Sequence, residues 1–300
     1  MLDRVAAAPI SWGICEVPGW GIQLSVERVL SEMAELGIHA TELGAIGWLP
    51  TDPAAIRDTL DRHGLRLTGG FVPLVLHDAA LIAASRQAAA DAARMMSAAG
   101  ATHFVTAVVS DPDEWRRPHL DDADWEMLLT HLVEIADIVA GFGMTQVVHP
   151  HVDTLIETAA EMQRFLDGCS LPFCLDTGHL LIGGADPVAI AKEHTDRVGL
   201  VHLKDVSMPI AQRLRDAELT LMTATQAGLF PALGSGDAPI EAVVNVMESH
   251  HYEGWYVIEQ DVALSGGDEP PAGEGPLLGM SQSLAFIRHL AAGHRLGAGR

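Results

Sequence analysis

Short apolar runs alternate with longer stretches whose apolar residues recur at helical spacing, and the alternation persists along the chain. Ala7 to Ile14 reads as a strand. Val26, Val29, Leu30, Met33, Ala34 and Leu36 form the inward stripe of a helix that Gly37 would end. The spacing then predicts strands over His39–Leu43, Leu65–Val72, His103–Val109, Thr145–His149, Phe173–Asp176, Gly199–Leu203 and Trp255–Glu259. Between them it predicts helices over Pro53–His63, opened by Asp52 as cap, and over Ala79–Ala99, Asp122–Ala140, Leu155–Leu166, Pro187–Glu193, Ile240–His250 and Ser281–Leu290. Strict alternation of eight strands and eight helices favours one closed (β/α)8 barrel of the TIM type, spanning residues 1–300, over an open doubly wound sheet. The first strand lacks the GxGxxG that a dinucleotide-binding sheet would want, and no repeat of fixed period is visible.

Two regions break the rhythm. Residues 206–237 are an insertion after the seventh strand, with a helix-like stretch Ala211–Ala227 and then the loop 230–237. Residues 265–276 are rich in Gly and Pro. Both fall on the strand-to-helix side, where a barrel builds its site, so each reads either as part of a lid or as a surface loop.

Composition narrows the function. Hydrophobic residues make up 48% of the chain and aromatics only 5%, which suits strands buried on both faces. The formal charge of -22, from 40 acidic and 18 basic residues, argues against nucleic acid and anionic membranes as partners, because phosphate needs clustered Lys and Arg. Cys15, Cys169 and Cys174 make an odd set without metal-ligand spacing, as expected of a reducing compartment. No signal-peptide pattern opens the chain and no apolar run reaches membrane-spanning length, so the expected location is the cytoplasm.

Position adds the chemistry. The C-terminal ends of barrel strands converge on one mouth. Here the last four strands each bring a His or a carboxylate there after an apolar run: His149, Asp176, His202 and Glu259. Each has a plainer reading, since a strand-end His is commonly just hydrogen-bonded, Asp176 before Thr-Gly could cap a turn, and Glu259 could pair with Lys204. A single divalent metal would satisfy all four at once, and their coincidence at one end is the stronger signal. Two imidazoles and two carboxylates suit Mn, Co, Zn, Fe or Mg and do not decide among them.

At these residues the chain resembles the xylose isomerase-like barrel superfamily of sugar isomerases and epimerases and, within it, the inosose dehydratases of myo-inositol breakdown. The matching segments are Ile10–Gly13, Thr41–Gly44, His149–Thr154, Leu175–His179, Val201–Asp205, Gly234–Asp237 and Gly254–Glu259. The resemblance implies a metal held by one residue from each of the fifth to eighth strands, and a substrate-facing role for His179. The superfamily usually has Glu where this chain has His149, so symmetric epimerisation between two carboxylates loses ground and dehydration gains. Asp153 stands where Gly is common, and the run after Glu259 is short.

The chemistry implied is dehydration of a small polyol ketone, such as scyllo-inosose, through an enolate. His151 or His179 would act as base or acid because neutral imidazole works near pH 7. Lys204 would donate to a developing oxyanion, its pKa lowered by nearby positive charge. Trp12, Glu42 and His77 are candidate substrate contacts, with Trp12 equally placed to pack at the mouth. Gly234–Ser–Gly236 lacks the Lys of a phosphate cradle, which favours an unphosphorylated substrate. The rival readings are a sugar or inosose isomerase or epimerase, an endonuclease acting on abasic DNA, and a non-catalytic sugar-binding protein. Association with a second copy is open, although no face announces an interface.

Overall fold

The structure, a computed structural model, describes residues 1–111 and 117–297. Nine parallel strands form one sheet: β1 (Val5–Ala7), β2 (Ala40–Thr41), β3 (Arg66–Leu67), β4 (Gly69–Leu74), β5 (His103–Val108), β6 (Thr145–Val148), β7 (Phe173–Asp176), β8 (Val198–Leu203) and β9 (Tyr256–Ile258). Their order is β3-β2-β1-β9-β8-β7-β6-β5-β4. The two ends of that order are halves of one stave. β3 pairs with β2 and β4 with β5, and Thr68 between them donates its N–H to Thr41 O at 2.9 Å. Leu43 N–H then donates to Gly69 O at 2.9 Å, carrying the ladder across the seam. The sheet therefore closes on itself as eight staves, and the fold is the expected TIM barrel. Gly69 is required there, because a Cβ would stand 2.6 Å from His103 O.

The predicted strand over Leu65–Val72 is thus split at Thr68, and the predicted strand over Ala7–Ile14 ends early. Ala8 N–H still bonds to Ile258 O at 3.1 Å, but Pro9 has no N–H to continue the ladder, and Pro9–Trp12 turns as a 3-10 helix.

Eleven α-helices occur among the described residues: α1 (Val26–Glu35), α2 (Pro53–Arg62), α3 (Ile82–Ala98), α4 (Asp122–Ala140), α5 (Ala159–Gly168), α6 (Thr177–Ile182), α7 (Pro187–Glu193), α8 (Met208–Arg215), α9 (Leu221–Gln226), α10 (Ile240–Ser249) and α11 (Pro276–Gly297). Local signals set their starts. Asp52 caps α2 through Ala55 N at 2.9 Å, and Asp121 and Thr158 open capping boxes at α4 and α5. The Thr158 box starts α5 four residues later than expected, and Leu155 and Ile156 pack into the core instead. Residues Ala211–Ala227 do not form one helix: Ala217 adopts a left-handed φ of 58°, and Thr220 recaps the chain as α9.

Strand side chains alternate faces. One set packs outward against the helices. The other forms a small separate cluster inside the ring, including Ala6, Ala40, Val105, Val147, Cys174, Leu200 and Val257. Two positions further along the last four staves stand His149, Asp176, His202 and Glu259, and two beyond those stand His151, Lys204 and Asp261. The period of two therefore carries each apolar floor residue directly into a polar one at the mouth.

Candidate metal centre

Asp176, His202 and Glu259 are buried, and their ligand atoms all lie within 4.8 Å of one another. His149 belongs to the adjoining triad with Asp176 and His179. Asp176 divides its carboxylate between two tasks. Oδ1 accepts from the N–H groups of Gly178 at 2.8 Å and His179 at 2.7 Å, capping α6. Oδ2 faces His149 Nε2 at 3.4 Å, His202 Nδ1 at 3.8 Å and Lys204 Nζ at 3.9 Å. Asp176 thus caps the turn with one oxygen and turns the other towards the neighbouring imidazoles.

The donor set fits a divalent cation. His202 Nε2 lies 3.1 Å from Glu42 Oε1, so Nε2 carries the proton and Nδ1 presents a lone pair. That Nδ1 touches Glu259 Oε2, yet neither buried atom has a hydrogen-bond partner among the described residues. Two lone pairs facing each other repel unless a proton or a cation sits between them. In this protein the surrounding charges favour a proton on the imidazole. Burial opposes a charge on His202, but the Cys174 sulfur and the Glu259 and Glu42 carboxylates hold its pKa well above the usual range. Burial likewise opposes a charge on Glu259, which Lys204 and His202 keep ionised well below the ordinary carboxylate range. A cation would replace that proton at the same place.

Above the cluster lies a cavity of about 300 Å3, whose wall includes Glu42, His149, His151, Asp153, Glu259 and Asp261. His151 donates from Nδ1 to Val152 O at 2.6 Å, which makes Nε2 its basic nitrogen. Burial first, then His149 and Lys204, lower its pKa to about 3, so the ring is neutral near pH 7. His179 and Lys204 stand behind the wall and do not line the cavity. Lys204 Nζ donates to His179 Nε2 at 3.0 Å and to Asp261 Oδ1 at 2.8 Å. The Val152 N–H is directed at the other ring nitrogen, His179 Nδ1, at 3.4 Å.

The expectation of a lowered Lys204 pKa is corrected. Burial alone would lower it, but Asp261, Glu259 and Asp176 outweigh burial and raise it, so Lys204 is a fixed cation. Asp261, which the sequence reading left without a role, is raised to about 6 by burial against the pull of Lys204. Its signal was its place two residues after Glu259, on the same face of the stave.

The cavity wall includes neither Trp12 nor His77. Trp12 is fully buried and donates from Nε1 to Glu32 at 2.8 Å. His77 is half-buried beyond the end of β4, and its Nδ1 has no hydrogen-bond partner among the described residues. Asp153 adopts a φ of 64°, the left-handed conformation that a Gly would take there most readily. The glycine-rich loop does gather N–H groups, but the chain fills it: Asp205 accepts from Gly234 at 2.8 Å, Gly236 at 2.9 Å and Ala238 at 3.0 Å. Thr220, Leu221 and Met222 of the insertion complete the cavity, whereas residues 265–276 lie elsewhere, with the Pro271 carbonyl bonded to Arg28.

The family model described as xylose isomerase-like TIM barrel matches residues 30–289. The chain belongs to this family. Curated relatives resemble the chain along most of their length. It is 32% identical over 276 residues to a protein named inosose dehydratase from Geobacillus kaustophilus (strain HTA426), covering 87% of this chain and 89% of that one. It is 31% identical over 271 residues to the rhizopine catabolism protein MocC of Rhizobium meliloti, covering 87% and 82%. Among solved structures, an L-ribulose 3-epimerase superposes with a TM-score of 0.71 at 15% identity, covering 99% of this chain and 97% of that one. The probable 3-DHS dehydratase AsbF from Bacillus anthracis superposes with 0.67 at 12% identity, covering 95% and 98%. At such identities the structural likeness speaks for the barrel alone. No described helix is long and apolar enough to cross a membrane.

Proposed function

We propose that the chain is a metal-dependent hydro-lyase, a single barrel domain that removes water from a cyclic polyol ketone such as scyllo-inosose by way of an enolate. The observation that carries this reading is the convergence of Asp176, His202 and Glu259 beneath a cavity walled by a neutral His151. Relatives named inosose dehydratase support it, as does His149 in place of a second proton-transferring carboxylate.

Asp176, His202 and Glu259, with His149 beside them, would hold the ion, Mn or Co before Zn, Fe or Mg. A divalent cation bound there supplies Lewis acidity that polarises the ketone and makes its α-proton easier to remove. His151 takes that proton on Nε2, and the electrons of the broken C–H bond pass into the enolate. Asp261 holds a proton in part of the molecules near neutral pH and gives it to the departing β-hydroxyl, which leaves as water while the C=C bond forms. Lys204 and His179 are positioning residues, because they hold Asp261 in place from behind the wall. The three unpaired cysteines accord with a reducing, cytoplasmic setting.

The test is an incubation with scyllo-inosose and a panel of ketoses, with Mn or Co added, read by mass spectrometry. Loss of water from a cyclic ketone is the expected result. A product of unchanged mass makes the chain an isomerase or epimerase instead, and no reaction with any of them overturns the proposal.

A further inference from the structure

Beneath the mouth the barrel carries a sulfur that the proposed chemistry does not use. Cys174 belongs to the inner cluster of Ala, Val and Leu side chains, two residues before Asp176 on β7. It is fully buried and is no part of the cavity wall. A thiol in such a place reads plainly as a small apolar filler. Its neighbours say more. One ligand atom from each of His149, Cys174 and His202 lies within 4.8 Å of the other two, the same closeness that unites Asp176, His202 and Glu259. His149 is buried, and its Nδ1 has no hydrogen-bond partner among the described residues. Asp176 Oδ2, 3.4 Å from His149 Nε2 and 3.8 Å from His202 Nδ1, is at hand as a fourth donor.

The two sets differ in chemistry. Two carboxylates and one imidazole make an oxygen-rich set that suits Mn or Mg. Two imidazoles and a thiolate make a nitrogen and sulfur set of the kind that Zn and the softer Cd prefer. His202 belongs to both sets, and two dications so close would repel, so an ion in one position excludes an ion from the other. We infer that Cys174, with His149 and His202, forms a second metal position for thiophilic divalent ions, one layer beneath the mouth and exclusive of an ion at Asp176, His202 and Glu259. On occupation the S–H bond breaks, its electron pair goes to the ion and its proton leaves to solvent. An ion held there sits off the cavity and blocks the one that would polarise the ketone. That inhibitory consequence rests on the hydro-lyase reading; the binding itself does not.

The experiment uses Cd alone as the probe. The chain has three cysteines, so Cys15→Ser with Cys169→Ser leaves Cys174 as its sole thiol. Cd titrated into this protein after loading with Mn is expected to raise a sulfur-to-metal charge-transfer band in the ultraviolet that saturates at one ion per chain. Free Mn, read by its paramagnetic resonance, should appear in step with the band, and water loss from scyllo-inosose should fall with it. The band should be lost in Cys174→Ala and in Cys174→Val, each checked by circular dichroism, and weakened in His149→Gln. Cd bound without a band, a band indifferent to His149→Gln, or a saturated band with Mn still bound or water loss undiminished overturns the inference and leaves the hydro-lyase reading standing. If Mn does not bind and no ketone loses water, that reading fails and the band decides alone: one that needs Cys174 and His149 sustains the inference, and its absence overturns it.

Discussion

His202 reaches across the barrel to Glu42, placing its Nε2 3.1 Å from Glu42 Oε1, and this contact fixes which ring nitrogen faces Glu259. Glu42 was expected to touch substrate, and it does line the cavity, yet its measurable effect should fall on the metal. Glu42→Gln keeps an acceptor but loses the charge that favours the Nε2–H tautomer. We expect its Kd for Mn to rise by about tenfold or more, as for other partners of ligating histidines, in a competition titration against a chelator. An unchanged Kd would remove Glu42 from the centre.

Asp176 allows its two duties to be separated. Asp176→Asn retains an oxygen for the N–H groups of Gly178 and His179, so its Tm without metal should stay near that of the parent. Asp176→Ala should lose a further ~1 kcal/mol of helix capping. Both should lose Mn binding in the same titration, which distinguishes the ligand from the cap.

Divalent ion should stabilise the fold by mass action, with about 2.7 kcal/mol gained at a hundredfold excess over Kd. Differential scanning fluorimetry should show a Tm increase of several degrees with Mn, reversed by EDTA and absent in Glu259→Gln. An equal increase in that variant would mean that the ion binds elsewhere.

The His151 pKa gives a sign for acid stability. Burial, with His149 and Lys204, lowers it to about 3 in the folded protein from 6.5, so between those values the unfolded chain binds the extra proton. Stability without metal should therefore fall as pH falls through that window. His151→Asn should show a shallower loss of Tm between pH 7 and pH 5, and an equal slope would contradict the neutral-imidazole assignment.

Lys204 is fully buried and faces three carboxylates, so its removal strands negative charge. Lys204→Met should cost about 3–5 kcal/mol in urea unfolding without metal. Adding Asp261→Asn should recover part of that loss, because the nearest stranded carboxylate is gone.

The period of two made much of this legible beforehand. His149, His202 and Glu259 each follow an apolar run of strand length, and a shift of one residue would have turned all of them outward. Other features left weaker traces. The break at Thr68 lies inside a segment, Leu65–Val72, that reads as one strand, because the pairing partners change there and the sequence does not mark the change. α6 is only six residues long and begins at the strand end itself, too short for a helical period to declare itself. Ala217 takes a left-handed turn without the Gly that would have signalled it. Lys204 read as a possible partner of Glu259, which lies 3.6 Å away, but its nearest carboxylate is Asp261, 57 residues further along the chain.

Asp205 has a consequence for what the barrel can accept. A phosphate ester approaching the loop at Gly234–Gly236 would find its seat taken by a carboxylate of the chain itself, and would have to unfasten that loop before it could bind. The amides of that loop are in this sense already taken, and the carboxylate that takes them fastens the loop to the chain just after β8.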